Sequence, residues 1–404
     1  MTSETTPDLA ALADRFVDLA CLFYEGDALE RRAEAASILA AHPQIVDVSI
    51  HAAAAAGDPV ALLAILERQP EVSDVLERQP AVAGVLKRQP DLLERPGGPR
   101  AWAPLLSLCY SRVAQVDAIA CLDLLLGRGA DPNAFTMITE CRFTALTGVI
   151  GEGEGGPILQ PPHPHARAMA LRLLGAGASP NESQGLYNTH FRPNNDWLEL
   201  LLSRGLTSDL DYLLGQAAQQ GFEERVALLL KHGAAPGGRN HYNRRTHIDN
   251  ALLEGHVAIV KLLEAAGAPP ATLTTAEAFR AACLRNDGDE ARRLLAADPR
   301  VVDDGGALTA AAHHGRLDGL SLALDLGVSI DARDREGLTA LHHAAREGHL
   351  AIAQALVARG ASLTLRDPQY DGTPLGHVRH FVEHWPSPER SETLAYLESV
   401  TPKP

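Results

Sequence analysis

Among the 17 histidines of this sequence, three are spaced for joint chemistry. His377, His380 and His384 lie three and four residues apart, which places them on one helical face where neutral imidazoles can share a divalent metal. Such a site needs more ligands, and neither H-E-x-x-H nor C-x-x-C accompanies them. His163 and His165 flank a proline and are equally short of partners. Acid–base work on a small molecule would instead need His, Asp and Tyr side chains to converge. Tyr187, His190, Tyr242, His247 and Asp249 are the candidate set, against the simpler assignment of all five to hairpin and packing duty. The G-x-S-x-G and G-x-x-x-x-G-K-[ST] patterns of activated serines and phosphate loops do not occur. The expectation is no metal and no cofactor.

Bulk properties narrow the partners. A formal charge of −15 argues against nonspecific binding to nucleic acid or anionic lipid. No run reaches the ~18 apolar residues of a membrane-spanning helix, and no charged-then-apolar leader opens the chain. Cys21, Cys109, Cys121, Cys141 and Cys283 are odd in number, and Cys109, Cys121 and Cys283 sit in helical patterns as buried reduced thiols do. These features predict a cytoplasmic protein with no nucleic acid and no membrane among its partners. Apolar residues make up 46% of the chain but aromatic ones only 4%, a core of Ala, Leu and Val suited to thin, closely stacked helices. Scarce lysine (Lys87, Lys231, Lys261 and Lys403) beside abundant Ala points to a GC-rich bacterial genome.

The elements that must position these side chains are clearest between Asp331 and Asp367. Thr339 can cap a helix with Leu341 and Ala344 on its apolar face, and Gly348 ends it. Ile352, Leu356 and Val357 stripe a second helix, which Gly360 ends. The unit recurs upstream, with Leu308, Gly315 and Gly327 each 33 residues before Leu341, Gly348 and Gly360. Similar helix-ending phrases stop at Gly129, Gly177, Gly233 and Gly267, and Asn286 takes a turn position otherwise held by glycine. About ten repeat-like units fit between helical ends. Pro7 to Tyr24 and Asp27 to Ala41 are helical but lack the signature, as a capping unit with a different outer face would. L-E-R-Q-P at Leu66 to Pro70 recurs at Leu76 to Pro80 and, as L-K-R-Q-P, at Leu86 to Pro90, a decad expansion within a loop. Gly151 to His165 is Gly/Pro-rich and predicts an exposed, irregular loop between the two helices of one unit.

The core Thr339-Ala340-Leu341-His342-His343-Ala344, in a period of about 33 residues, closely resembles the T-P-L-H-x-A core of an ankyrin repeat. The resemblance implies an all-α solenoid of stacked helix–turn–helix repeats with short hairpin loops and helical caps. Its parts would be an N-terminal cap over 1–46, repeats over 47–370 with irregular insertions near 70–98 and 151–165, and a last repeat and cap over 371–404. Structural duty is implied for His342 and His51 at the T-P-L-H histidine, and for His256 and His349 after the turn glycine. The resemblance also implies a concave groove of hairpin tips and first-helix ends. Carried over by position, the groove holds Tyr110, Gln219, Gln220, Glu254 and Arg285, then His313, His314, Arg346 and Glu347, with His241, Tyr242, Arg333 and Arg335 on hairpins. The function implied is an intracellular monomeric scaffold that binds a partner protein through this groove without catalysis. The alternative is a repeat-protein enzyme of a bacterial biosynthetic pathway, with a small-molecule site at Tyr187, His190, Tyr242, His247 and Asp249.

Overall fold

The computed structural model describes residues 7–68 and 90–402. Residues 69–89, most of the decad repeat of Leu66 to Pro90, lie outside the described residues. The chain divides into two compact units, Met1–Asp209 and Leu210–Pro404, and each is built of helix pairs.

In the first unit, Leu9–Ala20 packs on Leu29–Ala41. The pairs Ile50–Ala56/Pro59–Glu67, Pro104–Tyr110/Ala118–Arg128, Ala145–Ile150/Ala166–Gly175 and Ser183–Thr189/Asp196–Leu202 follow. The first helix of each pair packs on the first helix of the next. Residues 52–56 are all alanine and all buried, and the missing bulk lets neighbouring helices approach closely. A short antiparallel hairpin, Phe135–Ile138 with Cys141–Thr144, precedes the third pair. Its inner face rests near Trp102, whose indole N–H donates to Thr136 Oγ1 at 3.0 Å.

The second unit repeats the arrangement more regularly. Its pairs are Leu210–Gln220/Glu223–Lys231, His247–Leu253/Val257–Ala265, Thr275–Leu284/Gly288–Ala297, Gly306–His313/Leu317–Asp325, Ala340–Glu347/Leu350–Ala358 and Pro374–His384/Pro388–Val400. Threonine side chains start the first helices: Thr246 accepts from Asp249 N at 3.2 Å, and Thr274 and Glu277 close a reciprocal capping box. First helices are buried nearly all round, as with Ala307 to Ala312, whereas second helices bury one stripe, such as Ile352, Ala353 and Leu356. Leu356, fully buried in that stripe, contributes about 1.5–3 kcal/mol. The turn glycines read from the sequence all have positive φ, and Asn286 adopts φ +55° in the same role.

One expectation needs a partial correction. The 151–165 stretch is largely irregular and half exposed, as read, but it contains the short helix Gly156–Leu159 and is anchored on the first unit, with Gln160 and His163 buried. Arg112 donates to Pro161 O at 2.8 Å, and Arg32 donates to the carbonyls of Ile158 and Leu159, each at 3.0 Å. Gln160 reaches Asp27, and His163, buried rather than exposed, meets Gln115 Oε1 at 2.7 Å. Polar side chains far off in sequence supply the partners, so apolar periodicity gives no sign of them.

Two measurements test this account. Deleting residues 151–165 with a short linker is expected to lower the melting temperature by well over a few degrees, because it strips partners from Arg112, Gln115 and Asp27; an unchanged melt would show those contacts to be idle. At Gly360 (φ +90°) an added Cβ meets nothing within 4 Å, but at Gly348 (φ +81°) it meets Arg390 N at 2.8 Å and Glu389 C at 3.0 Å. Gly360→Ala is expected to cost the left-handed penalty of about 1–2 kcal/mol, and Gly348→Ala more. Equal shifts in the urea midpoint would contradict the close seating of the last helix.

Candidate functional site

The hairpins of the second unit are tied to its first helices by side-chain oxygens that recur by position. Asp334 accepts from the backbone N–H groups of Glu336 and Leu338, each at 2.9 Å, and lies 2.6 Å from His343 Nε2. One repeat later Asp367 accepts from Gln369, Tyr370 and Gly372 at 2.9, 2.7 and 2.8 Å and lies 2.9 Å from His377 Nε2. Burial alone would raise both carboxyls, but the histidine and backbone N–H bonds outweigh it and hold both below their ordinary value. Asn240 clasps its hairpin in the same way, accepting from Tyr242 and Asn243, while its amide donates to Gln219 Oε1 at 2.9 Å.

A second polar row runs along the first-helix ends. His314 Nε2 lies 2.6 Å from Glu254 Oε2, and His313 Nδ1 lies 3.4 Å from Glu347 Oε1. Arg346 Nε donates to Glu347 at 2.9 Å, and Arg390 Nη2 stands 3.9 Å from the same carboxylate. Burial pushes the Glu347 carboxyl up, but His313 and Arg346 more than offset it and bring its pKa to about 2. Arg245 is paired with Glu277.

Two cavities open on this face. One, of about 300 Å³, is bordered by Arg245, Glu254, Arg280, Asp304 and Arg335 and is polar. The other, of about 650 Å³, is walled by Tyr370, Phe381 and Trp385 over Leu338 and His377. Glu336 borders both. Tyr370 and Trp385 are 74% and 56% exposed, unusual for rings of that size. Neither was among the groove residues read by register, although Tyr370 stands 33 residues after the hairpin residue Gly337.

Most of the groove residues read from the sequence are found on or near this face, but not all in the expected state. Gln220, His241, Tyr242, Arg333 and Arg335 are exposed, and Gln219, Glu254, Arg285, His313, His314, Arg346 and Glu347 are half-buried. The last four are held by ion pairs, His314 with Glu254 and His313, Arg346 and Arg390 with Glu347. Tyr110, expected to be exposed, has no exposed surface: it sits against Gly148, and its hydroxyl donates to Thr144 O at 2.7 Å. It closes the contact between two first helices of the first unit.

The alternative catalytic set is spread over both units. In the first, Tyr187 donates to Glu154 Oε1 at 2.5 Å and packs edge-on against buried His190 at 4.8 Å. In the second, Tyr242 is 67% exposed and its hydroxyl lies 3.4 Å from that of Tyr212. His247 is enclosed between Gly215 and Gly238, and Asp249 accepts from Thr272 N and Oγ1 at 2.7 and 2.8 Å. The structure therefore does not bring Tyr242, His247 and Asp249 together around a common opening. Rings of His380 and His384 approach to 4.2 Å while His377 turns to Asp367, and no group of three metal-capable side chains occurs among the described residues. One motif escaped the sequence reading: Gly151-Glu152-Gly153-Glu154-Gly155-Gly156 spells G-x-G-x-x-G. It follows the helix Ala145–Ile150 rather than a strand, and precedes a helix of only four residues, so it lacks the context of a dinucleotide-binding turn.

The T-P-L-H histidine has the role that the resemblance implied. Thr339 N and Oγ1 lie 3.3 and 2.8 Å from His342 Nδ1, which leaves Nε2 to carry the proton and donate to Gly372 O of the next hairpin at 3.2 Å. His256 and His349 reach back to Gln219 O and His313 O at 3.1 and 3.0 Å.

Residues 279–367 match the family model for ankyrin repeats, in three copies. Three plant proteins are similar over parts of the chain. A potassium channel of Arabidopsis thaliana, AKT2/3, is 25% identical over 222 residues, which is 54% of this chain and 24% of the channel. A probable E3 ubiquitin-protein ligase of Oryza sativa subsp. japonica, XBOS33, is 36% identical over 118 residues, 27% of this chain and 22% of the ligase. Acyl-CoA-binding domain-containing protein 1 of Arabidopsis thaliana is 42% identical over 55 residues, 14% of this chain and 16% of that protein. The matches thus span a quarter or less of each relative's length. No helix among the described residues is long and apolar enough to cross a membrane.

The buried histidines and paired carboxylates give a signed pH dependence. Burial lowers the His342 pKa to about 4 and that of His163 to about 3, below the ordinary 6.5. Between those values the unfolded chain binds more protons than the folded one, so stability falls as pH drops through that window. Glu347 and Glu277, both brought to about 2 from an ordinary 4.5, add a further loss below pH 4.5. Urea midpoints are expected to fall in two stages from pH 7 to pH 3. His342→Gln should lower the midpoint at pH 7 yet flatten the upper stage, and an undiminished slope between pH 6.5 and 4 would remove His342 from it.

Proposed function

We propose that this chain, whose residues 279–367 are ankyrin repeats, is an interaction scaffold that binds a segment of a partner protein across the hairpin face of its second unit. The observation that carries the reading is the junction of a polar cavity and a ring-walled cavity at Glu336. Binding energy at protein interfaces concentrates on a few aromatic and Arg anchors within a polar surround. On this reading Gln220, His241, Tyr242, Arg333 and Arg335 are rim contacts, and Gln219, Glu254, Arg285, His313, His314, Arg346 and Glu347 form the floor. The histidine–carboxylate pairs keep that floor in one arrangement, so little side-chain freedom is lost on binding. The division into a cap over 1–46, an array over 47–370 and a last repeat and cap over 371–404 belongs to the same proposal, with helix pairs along both units in its support. Scarce lysine beside abundant Ala supports a bacterial source, and the free cysteines support a cytoplasmic location.

A photo-crosslinking residue tests the face directly. Placed at Glu336 in the native host, it is expected to capture a discrete protein. The same residue at Asp318, exposed on a second helix, should capture none. Equal capture at both positions, or none at Glu336, would defeat the reading.

A further inference from the structure

We infer that the 650 Å³ cavity receives a lysine or arginine side chain from a basic segment of a partner protein, held between Tyr370 and Trp385 with Glu336 as its counter-ion. The inference rests on the scaffold reading and names the chemistry of its partner.

The sign of the partner comes from the charges that line the cavity. They are Glu336, Asp367 and Arg346, with His377 and His380 beside them. Arg346 is spent on Glu347, to which its Nε donates at 2.9 Å. Asp367 is buried and already holds His377 and three hairpin N–H groups. Glu336 is exposed and has no cation on it among the described residues. Any segment laid over the cavity takes Glu336 out of water. An acidic or apolar segment would leave that carboxylate desolvated and unpaired, whereas a lysine or arginine supplies the missing charge. The exposed hairpin arginines do not reverse this. Arg335 borders the polar cavity, and Arg333 borders neither and donates to the carbonyls of Gly337 and Arg366.

The polar cavity that shares Glu336 has the same sign. Its lining holds five carboxylates against three guanidinium groups. Glu277 and Glu254 have Arg245 and Arg280 on them, but Asp304 accepts only from Gly306 N, at 2.8 Å. A basic segment crossing from one cavity to the other meets an excess of carboxylate throughout.

The rings favour the same guest. Phe381 is already engaged: the guanidinium carbons of Arg346 and Arg390 lie 5.9 and 5.5 Å from its centre, and Trp385 packs on it at 5.3 Å. No guanidinium lies over Tyr370 or Trp385 among the described residues, and these rings are 74% and 56% exposed. An open ring face attracts a cation. A slot with apolar walls and a carboxylate at its rim also suits a side chain with an alkyl stem and a charged head.

The test is selection of a random displayed peptide library on the full-length chain, followed by anisotropy titration of synthetic copies of the enriched peptides. The expected consensus has a central lysine or arginine. Replacing it by norleucine, which keeps a stem without the charge, should weaken binding about tenfold. The Glu336→Gln and Trp385→Ala chains should show a similar loss. Both side chains are exposed, so the melting temperature should hold, which separates lost binding from lost fold. Asp318→Asn removes a charge elsewhere on the second unit and should leave affinity unchanged. A loss there equal to that of Glu336→Gln would show attraction to an acidic chain as a whole and overturn the inference. Enrichment of acidic or uncharged peptides, or basic peptides indifferent to Glu336→Gln and Trp385→Ala, would overturn it as well. Peptides that depend on Tyr242 but on neither Glu336 nor Trp385 would do the same and leave the scaffold reading standing. No enrichment over a surface without the chain would take both down.

Discussion

A single helix pair of this kind cannot bury its own apolar stripe, and every other feature follows from that constraint. Each pair needs a neighbour, and neighbours come close only if the first helices are thin. Hence the alanines at 52–56 and 310–312, all buried, and the aromatic content of 4%. Close approach then leaves polar backbone at the hairpins that must be satisfied without water. His342 meets that need by donating to the next hairpin's Gly372 carbonyl, and Asp334 and Asp367 do so by gathering hairpin N–H groups. Apolar stacking supplies the driving force, and these oxygens and imidazoles set the register.

The same constraint explains which parts were legible in the sequence. Helix ends at Gly129, Gly233 or Gly360 depend on a local backbone state, so a 33-residue register finds them, and it finds Asn286 as well. The T-P-L-H histidine is legible for the same reason. The 151–165 segment is not, because what anchors it comes from Arg32, Asp27, Arg112 and Gln115, far away in sequence. Tyr110 fails for a related reason. Register puts it near the end of a first helix, but whether such a residue faces outward depends on the neighbour. Gly148 opposite leaves a hollow that the phenol ring fills. Register locates a position along an element; only packing decides what that position sees.

On the candidate face, legibility divides along the line between polar and aromatic residues. Arg333, Arg335, His313 and His314 were within reach because the register numbers them directly. Trp385 was not, because it is the C-cap residue after Pro374–His384, a helix longer than the four first helices directly before it. The extra length carries Phe381 and Trp385 past the end of the ordinary first helix, and there the ring-walled cavity forms.

That placement has a physical consequence for how such a face could discriminate. Within the regular repeats, half-buried groups such as Glu254, His314 and Glu347 are spent on one another, and a partner that disturbed them would leave charges unpaired. Their net attraction for a new group is correspondingly small. Selectivity must then come from side chains that the stack does not need for its own cohesion. Those are the exposed hairpin charges and the rings beyond the last regular turn. On the proposed scaffold reading, recognition falls where the stacking rule lapses, at hairpin tips and at the helix pair Pro374–His384/Pro388–Val400. There a substitution changes what is bound while the core that holds the helices together is untouched.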